Sequence, residues 1–384
     1  MNTLEKRILA VLEASLDKKE AAGYNVLIRQ GGEQIAYVNA GYANIAAAAP
    51  IRRDSIFRLY SQSKPITSAA VMILIERGLI DLFDPVEIYL PGFANPKVMT
   101  GDGVVPAKRS VNIMDLLGMT AGVAYPDGDA VGQVTAELFI QNQKDIAAGG
   151  GLGTVEFCNR IGQLPLTFHP GEQFRYSTCA DILGAVVEVV SGKPYAQFLR
   201  EEIFEPLGMK DTAFWVPAEK QDRFVTTYKR VNGGLDEFHQ QHLCVGVYDR
   251  EPAFASGGAG LVSTLDDYSR FAEMLLRGGE LNGARILRKA TIDWMTQPQL
   301  GGSAIWDSLA GFSYGKLMRV CTTPGLAPGL ARLGEYGWDG WLGTYFANFP
   351  DEHLTILLGQ NTTDAGTTAC TRKVRNVVLS EVVK

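Results

Sequence analysis

The chain has 384 residues, 46% of them hydrophobic and 20% charged, with 42 Gly and 17 Pro; this composition excludes a coiled coil, a collagen-like repeat and a disordered chain, and it suffices to bury a large core as one big or two interleaved domains. Lys and Arg number 36 against 42 Asp and Glu, a net charge of −6, so no overall field steers the molecule toward nucleic acid or anionic lipid. No run reaches the roughly 20 apolar residues of a membrane span; the best begins at Ala69 and stops at Glu76 and Arg77. Five scattered cysteines without a Cys-x-x-Cys pair read as reduced thiols, not as a disulfide framework or a zinc site.

In chain order, residues 1–20 place Ile8, Leu9, Val11, Leu12 and Leu16 at the spacing of an amphipathic helix and not of a secretory signal, which reads as a cytoplasmic protein. Residues 24–29 and 34–38 are β-rich runs around Gly31-Gly32, a hairpin whose turn can take positive φ. A helix is predicted over 61–78, with Ile66, Ala69, Ala70, Ile73 and Leu74 on one side and Gly78 as its stop. Residues 84–247 read as mostly helical, including 180–191 and 195–204. Helices return at 265–277 and 289–295, strands at 334–349 and 354–360 are joined at Pro350-Asp351-Glu352, and a helix over 372–383 closes the chain. Strands at both ends with helices between them predict an α+β fold. An antiparallel sheet domain, flanked by helices, is drawn from 1–83 and 248–384, a mostly helical domain over 84–247 is inserted, and the cleft between them is the expected site.

Three stretches carry residues with chemical potential. In Ser61-Gln62-Ser63-Lys64 a hydroxyl and an amine lie three residues apart at a helix start and share one face. A lysine that is desolvated there loses its proton more readily and can activate the serine, although an N-cap serine beside a solvated lysine has the same spelling. Pro65 follows, which a first helical turn tolerates. Tyr176-Ser177-Thr178 lies after the turn-rich Phe168-His169-Pro170-Gly171-Glu172 and before an apolar helix. Beside an ammonium its phenolate is favoured, so Tyr176 is a candidate to accept the serine's proton and pass it on; alone, it reads as a core tyrosine. The third is Tyr336-Gly337-Trp338-Asp339-Gly340-Trp341-Leu342-Gly343, a strand whose glycines permit close backbone approach by a ligand or by another strand.

In this order, and together with Ile113-x-x-Leu116-Leu117-x-x-Thr120-Ala121-Gly122, Pro170-Gly171-Glu172-x-Phe174-x-Tyr176-Ser177, Pro206-Leu207-Gly208-Met209-x-Asp211-Thr212 and Gly257-Gly258-Ala259-Gly260-Leu261-x-Ser263-Thr264, these pieces resemble the serine β-lactamase and penicillin-binding-protein superfamily. The resemblance covers most of the chain and points to the class C-like branch, which includes family VIII carboxylesterases and D-amino-acid amidases. It implies a β-lactamase-like fold, Ser61 as the acylated nucleophile, and Lys64 and Tyr176 sharing the general base and acid work. It also implies that Trp338-Asp339-Gly340 stands where the family carries Lys- or His-Thr-Gly, with the amides of Ser61 and Trp341 as the oxyanion hole. Trp338, Gly340, Trp341 and Thr178 are then candidate substrate-binding positions.

Two departures bear on the substrate. Thr178 stands where β-lactamases carry the Asn of Tyr-x-Asn and offers one hydroxyl in place of an amide. Trp338 replaces the strand lysine, so no cation meets a substrate carboxylate unless Arg319 or Arg332 takes that place. Both favour neutral esters. The expectation is a serine hydrolase without cofactor or metal, a carboxylesterase acting through an acyl-enzyme on small esters. The alternatives are a D-amino-acid amidase, peptidase or weak β-lactamase, and, in another class, an inactive module binding peptidoglycan or a partner. The expected partner is a small-molecule ester or amide, with no nucleic acid and no membrane span. His239-x-x-His242 near Glu237 lacks the helix-borne metal spacing and reads as a polar loop. His169 reads as a turn residue, and Trp306, Phe312 and Tyr314 read as core.

Overall fold

Residues 1–300, 306 and 309–383 are described by the computed structural model. Eight strands form one sheet: β1 Gly23–Gln30, β2 Glu33–Asn44, β3 Ala49–Pro50, β4 Phe312–Tyr314, β5 Arg319–Cys321, β6 Tyr336–Asp339, β7 Tyr345–Phe349 and β8 Leu354–Gly359. Their order is β4-β5-β6-β7-β8-β1-β2-β3, and every pair is antiparallel. The chain's two ends meet where β1 pairs with β8, Val26 opposite Leu358 and Ile28 opposite Ile356.

The central strands β1, β7 and β8 are buried at both parities over most of their length because helices cover both faces. Five helices matter for the site: α1 Thr3–Asp17, α2 Lys64–Glu76, α3 Cys179–Ser191, α4 Leu265–Leu276 and α5 Ala369–Val382. On one face Val26, Ile28, Tyr345, Ala347, Ile356 and Leu358 pack with Ile8 and Leu12 of α1 and Val374 and Val378 of α5. Alternate residues Leu27, Trp338, Phe346 and Leu357 point to the other face and join Ile66 and Ala70 of α2, Leu183 and Val186 of α3 and Phe271 of α4 in one continuous core. That core runs from the sheet into the intervening helices, so the seam between them is built from shared apolar contacts. At the chain start Asn2 and Glu5 exchange side-chain-to-backbone hydrogen bonds, a capping box that fixes where α1 begins. All five cysteines are buried and unpaired.

The structure departs from the sequence pattern in three places that shape the site or its surroundings. The predicted helix over 61–78 opens as a 3-10 turn, Tyr60–Ser63, and becomes α-helical only at Lys64. The predicted strand over 334–349 is two strands, because the chain turns at Gly340, whose amide donates to the Thr344 carbonyl at 2.7 Å. The middle of the chain also holds two small hairpins, Lys97–Thr100 with Gly103–Pro106 and Tyr228–Val231 with Gly234–Glu237, which the helical reading lacks. In both, Gly-containing turns close short strands whose side chains are largely exposed, so no apolar alternation marks them.

Candidate active site

The start of α2 lies at the bottom of the seam, and its geometry follows from the local sequence. Tyr60 takes φ +45°, an unusual conformation for a bulky residue. It is held there by burial of its ring, which meets Trp341 edge-on at 5.0 Å. This reversal introduces Ser61, and one turn later Lys64 returns to it: Lys64 Nζ is 3.1 Å from Ser61 Oγ. The same nitrogen lies 3.1 Å from the Tyr125 hydroxyl and 2.9 Å from the Gly258 carbonyl. Lys64 has no exposed surface, and burial pulls its pKa from 10.5 down to about 7, against the smaller pull of Asp181, Cys179 and Asp339. A lysine in this state is neutral in a large fraction of molecules near neutral pH. Its lone pair can take a proton from a hydroxyl at this distance.

Tyr176 comes to the same place from the turn before α3. Its ring centre is 4.6 Å from Lys64 Nζ, and its hydroxyl accepts a hydrogen bond from Trp338 Nε1 at 3.0 Å. The structure reverses the expectation that the lysine favours a phenolate here. Burial is the dominant influence and pushes the Tyr176 pKa well up, more than the hydrogen bonds from Ser61 and Trp338 bring it down. Tyr176 is therefore a phenol, a proton donor rather than a resting base. Tyr125, whose phenol burial likewise pushes well above its usual pKa, packs against Tyr176 at 5.8 Å between ring centres. Sequence reasoning missed it. It follows three residues after Thr120-Ala121-Gly122, and that spacing was the only available signal.

A second layer fixes the lysine. Asp181, in the first turn of α3, accepts from the Gly258 amide at 3.0 Å and from Ser256 Oγ at 2.5 Å, which aims the Gly258 carbonyl at Lys64. A Cβ on Gly258 would lie 2.8 Å from an Asp181 oxygen and 3.1 Å from the Tyr125 hydroxyl. Only glycine fits between them.

The remaining wall is the end of β6. Trp338 sits under Tyr176 with ring centres 5.5 Å apart. A Cβ on Gly340 would collide with the carbonyl of Leu59 and with Thr344 Oγ1, and Thr344 Oγ1 itself donates to that carbonyl at 3.1 Å. The turn after β6 is thus locked to the residues just before Ser61. Among the described residues the Trp341 and Ser61 amides have no intramolecular acceptor. Two free donors on neighbouring segments can meet a developing oxyanion.

Other sequence candidates fall elsewhere. Thr178 is at the start of α3 with no exposed surface, and its hydroxyl has no partner among the described residues. Arg319 is buried opposite Gly337, on the face of the sheet away from Trp338, and Arg332 pairs with Glu352 at 2.5 Å; neither supplies the missing cation. His242 stacks on Trp341 at 4.0 Å, His239 pairs with Glu237 at 3.1 Å, and His169 Nδ1 accepts from the Lys108 amide. Trp306 belongs with the site and not with the core. It is 41% exposed, and its ring meets Phe174, Tyr176 and Trp338 at 5.4 to 6.1 Å. Among the described residues no group of three His, Cys, Asp or Glu could hold a metal, and no helix is long and apolar enough to cross a membrane.

The β-lactamase family model matches residues 8–378. The chain belongs to the β-lactamase family. Among its relatives, esterase EstB of Burkholderia gladioli is 31% identical over 379 residues, 95% of this chain and 92% of EstB. Protein Rv1367c of Mycobacterium tuberculosis is 32% identical over 345 residues, 85% of this chain and 82% of its own. The solved structure of EstCE1, a hydrolase with promiscuous acyltransferase activity, is similar with a TM-score of 0.83 and 27% identity over 98% of both chains. Simvastatin synthase LovD from Aspergillus terreus shares the fold with a TM-score of 0.80 at 19% identity. This member of the β-lactamase family is a serine hydrolase with a β-lactamase-like fold, on the side of the family VIII esterases.

Proposed function

We propose that the protein is a carboxylesterase that acts on small neutral esters through an acyl-enzyme on Ser61. The observation that carries this reading is the Lys64 amine, fully buried 3.1 Å from Ser61 Oγ and brought to a pKa of about 7 by burial. Neutral Lys64 takes the hydroxyl proton as Ser61 Oγ attacks the ester carbonyl, and the oxyanion is received by the Ser61 and Trp341 amides. The tetrahedral adduct collapses, the C–O bond to the alcohol breaks, and the departing alkoxide takes a proton from Tyr176, which is replenished from protonated Lys64. Water then attacks the acyl carbon, gives its proton to the same pair, and releases the acid and Ser61. Loss of one oxyanion donor in such a site costs about 100-fold or more in rate.

Preference for esters over β-lactams or amino-acid amides is supported by the position of Trp338. Where a cation would meet a carboxylate, the indole donates to Tyr176, and Arg319 and Arg332 are engaged elsewhere. The similarity to esterase EstB points the same way. Short-chain p-nitrophenyl esters, D-amino-acid p-nitroanilides and a chromogenic cephalosporin measured side by side test the reading; the ester is expected to lead in kcat/KM, and an amide-only profile would overturn it. Incubation with a fluorophosphonate should add one adduct to Ser61 by mass spectrometry. No adduct there would favour a binding module without turnover.

A further inference from the structure

Four residues other than glycine hold positive φ around a single indole. Tyr60, at φ +45°, meets the Trp341 ring edge-on at 5.0 Å, and Asp364, at φ +56°, accepts from Trp341 Nε1 at 2.8 Å. Leu243 and Cys244, at φ +55° and +60°, form a two-residue reversal directly after His242. The His242 amide donates to the Val245 carbonyl at 2.8 Å, and the Val245 amide donates back to the His242 carbonyl at 3.0 Å. Such a turn ordinarily takes Asn-Gly or Gly-Gly, and a leucine in it is strained. It persists because Leu243 packs against the core and buried Cys244 donates from Sγ to the Phe139 carbonyl at 3.4 Å. Strain of this kind gathers where the surrounding structure must deliver a side chain to a functional group.

What the reversal delivers is the His242 ring. It lies on the Trp341 indole with 4.0 Å between ring centres and 20° between planes, whereas Tyr60 and Phe238 meet that indole edge-on. Burial lowers the His242 pKa, with Asp364 pulling the other way; at neutral pH the imidazole is an uncharged ring and stacks as one. The peptide joining Gly340 to Trp341 carries the Trp341 amide, which has no acceptor among the described residues. Its Gly340 end is locked, because that residue is wedged against the Leu59 carbonyl and Thr344. Its other end depends on Trp341, whose carbonyl accepts from the Ala365 amide at 2.9 Å and whose indole is held by Asp364 and His242. We infer that His242 is a positioning residue for the oxyanion hole: its stack on the indole fixes the direction in which the Trp341 amide points. This rests on the ester-hydrolysis reading proposed above and adds to it a residue that acts through Trp341 and not on the reacting atoms.

His242→Leu and His242→Phe in the full chain, assayed on p-nitrophenyl acetate, test the inference. Leucine keeps apolar bulk without a flat face, whereas phenylalanine keeps the stack. His242→Leu should lower kcat by about 3–10-fold with KM within about twofold, the size of one aromatic contact and less than the loss of an oxyanion donor. His242→Phe should stay within about twofold of the wild type in both. An unchanged kcat in His242→Leu, or an equal fall in both variants, would overturn the inference while leaving an active wild type and its esterase reading intact. A wild type without esterase activity would remove the reading and the inference with it. If His242→Leu fails to fold, a crystal structure of the unaltered chain carrying the Ser61 phosphonyl adduct decides. An adduct oxygen at hydrogen-bond distance from the Trp341 amide, with His242 still on the indole, is expected; His242 displaced from the indole would overturn the proposal.

Discussion

Lys64 and Arg375 are both buried cations, on opposite sides of the same sheet, and the molecule treats them in opposite ways. Arg375 is matched by Glu335, itself 1% exposed, and by the Tyr345 hydroxyl, and these partners push its pKa up despite burial. Lys64 has only neutral oxygens in contact, those of Ser61, Tyr125 and Gly258, and its nearest acids act from a distance. The arginine is therefore a permanent charge that ties α5 to the sheet. The lysine is a charge the interior barely tolerates. Withholding one carboxylate separates a strut from a proton acceptor.

The comparison breaks if Lys64 is dispensable or if its burial is harmless. Lys64→Met should lower kcat on a short ester by about 10²–10⁴-fold, and Tyr176→Phe by at least about 100-fold. The same Lys64→Met chain should be more stable than the wild type at pH 7. The folded pKa of about 7 lies below the usual 10.5. Below about pH 7 both states of the wild type are protonated and the full penalty of the buried charge applies; between about 7 and 10.5 the unfolded chain binds more protons, so wild-type stability rises with pH. The gain in the variant is on the order of a few kcal/mol at neutral pH, measured by urea unfolding. A loss of stability would show that Lys64 is held as a structural cation after all.

Glu335→Gln probes the other half. Removing the acid leaves Arg375 buried and unmatched, a cost of about 3–5 kcal/mol, while kcat of the folded fraction should stay within about twofold because no atom of the pair approaches Ser61. A rate change as large as that of Lys64→Met would mean that the two faces are not independent.

Sequence made this division half visible. The Ser61–Lys64 spacing, Tyr176 and the Trp338–Gly340–Trp341 run are legible because a nucleophile, a base and a glycine-bearing strand end impose residue types at short range. The α+β layering is legible because strands near both ends alternate or run apolar. Tyr125 was not, since a tyrosine before a proline has no local signature and its contact with Lys64 spans 61 residues. Trp306 reads as core because an aromatic carries no sign of which cavity it enters, and Tyr176 reads as phenolate-prone only on the premise of an ammonium beside it, whereas the full burial that governs it leaves no mark in the sequence. Thr178 matched a motif position, yet the start of α3 encloses it.

Gly340→Ala sharpens the picture at the oxyanion side. The added methyl must displace the Leu59 carbonyl or Thr344, moving the Trp341 amide relative to Ser61; a fall of about 10–100-fold in kcat with little change in KM is expected, less than the cost of losing one oxyanion donor outright because the amide is displaced and not removed. An unchanged kcat would place the oxyanion elsewhere.

The smallest and most specific effect is expected from Tyr125→Phe. Its hydroxyl accepts from Lys64 Nζ at 3.1 Å, an interaction stronger with the ammonium than with the amine, so its removal disfavours the charged form and lowers the lysine pKa further. A hydrogen bond of about 0.5–1.5 kcal/mol corresponds to a displacement of roughly 0.4–1 pH unit. The rising limb of kcat/KM against pH, expected near 7 in the wild type, should therefore move to lower pH by about that amount. At a pH well above both midpoints the two enzymes should differ by less than about tenfold. A limb that moves upward would mean that Tyr125 acts as a donor to a neutral amine, and the roles given to Tyr125 and Tyr176 would have to be exchanged.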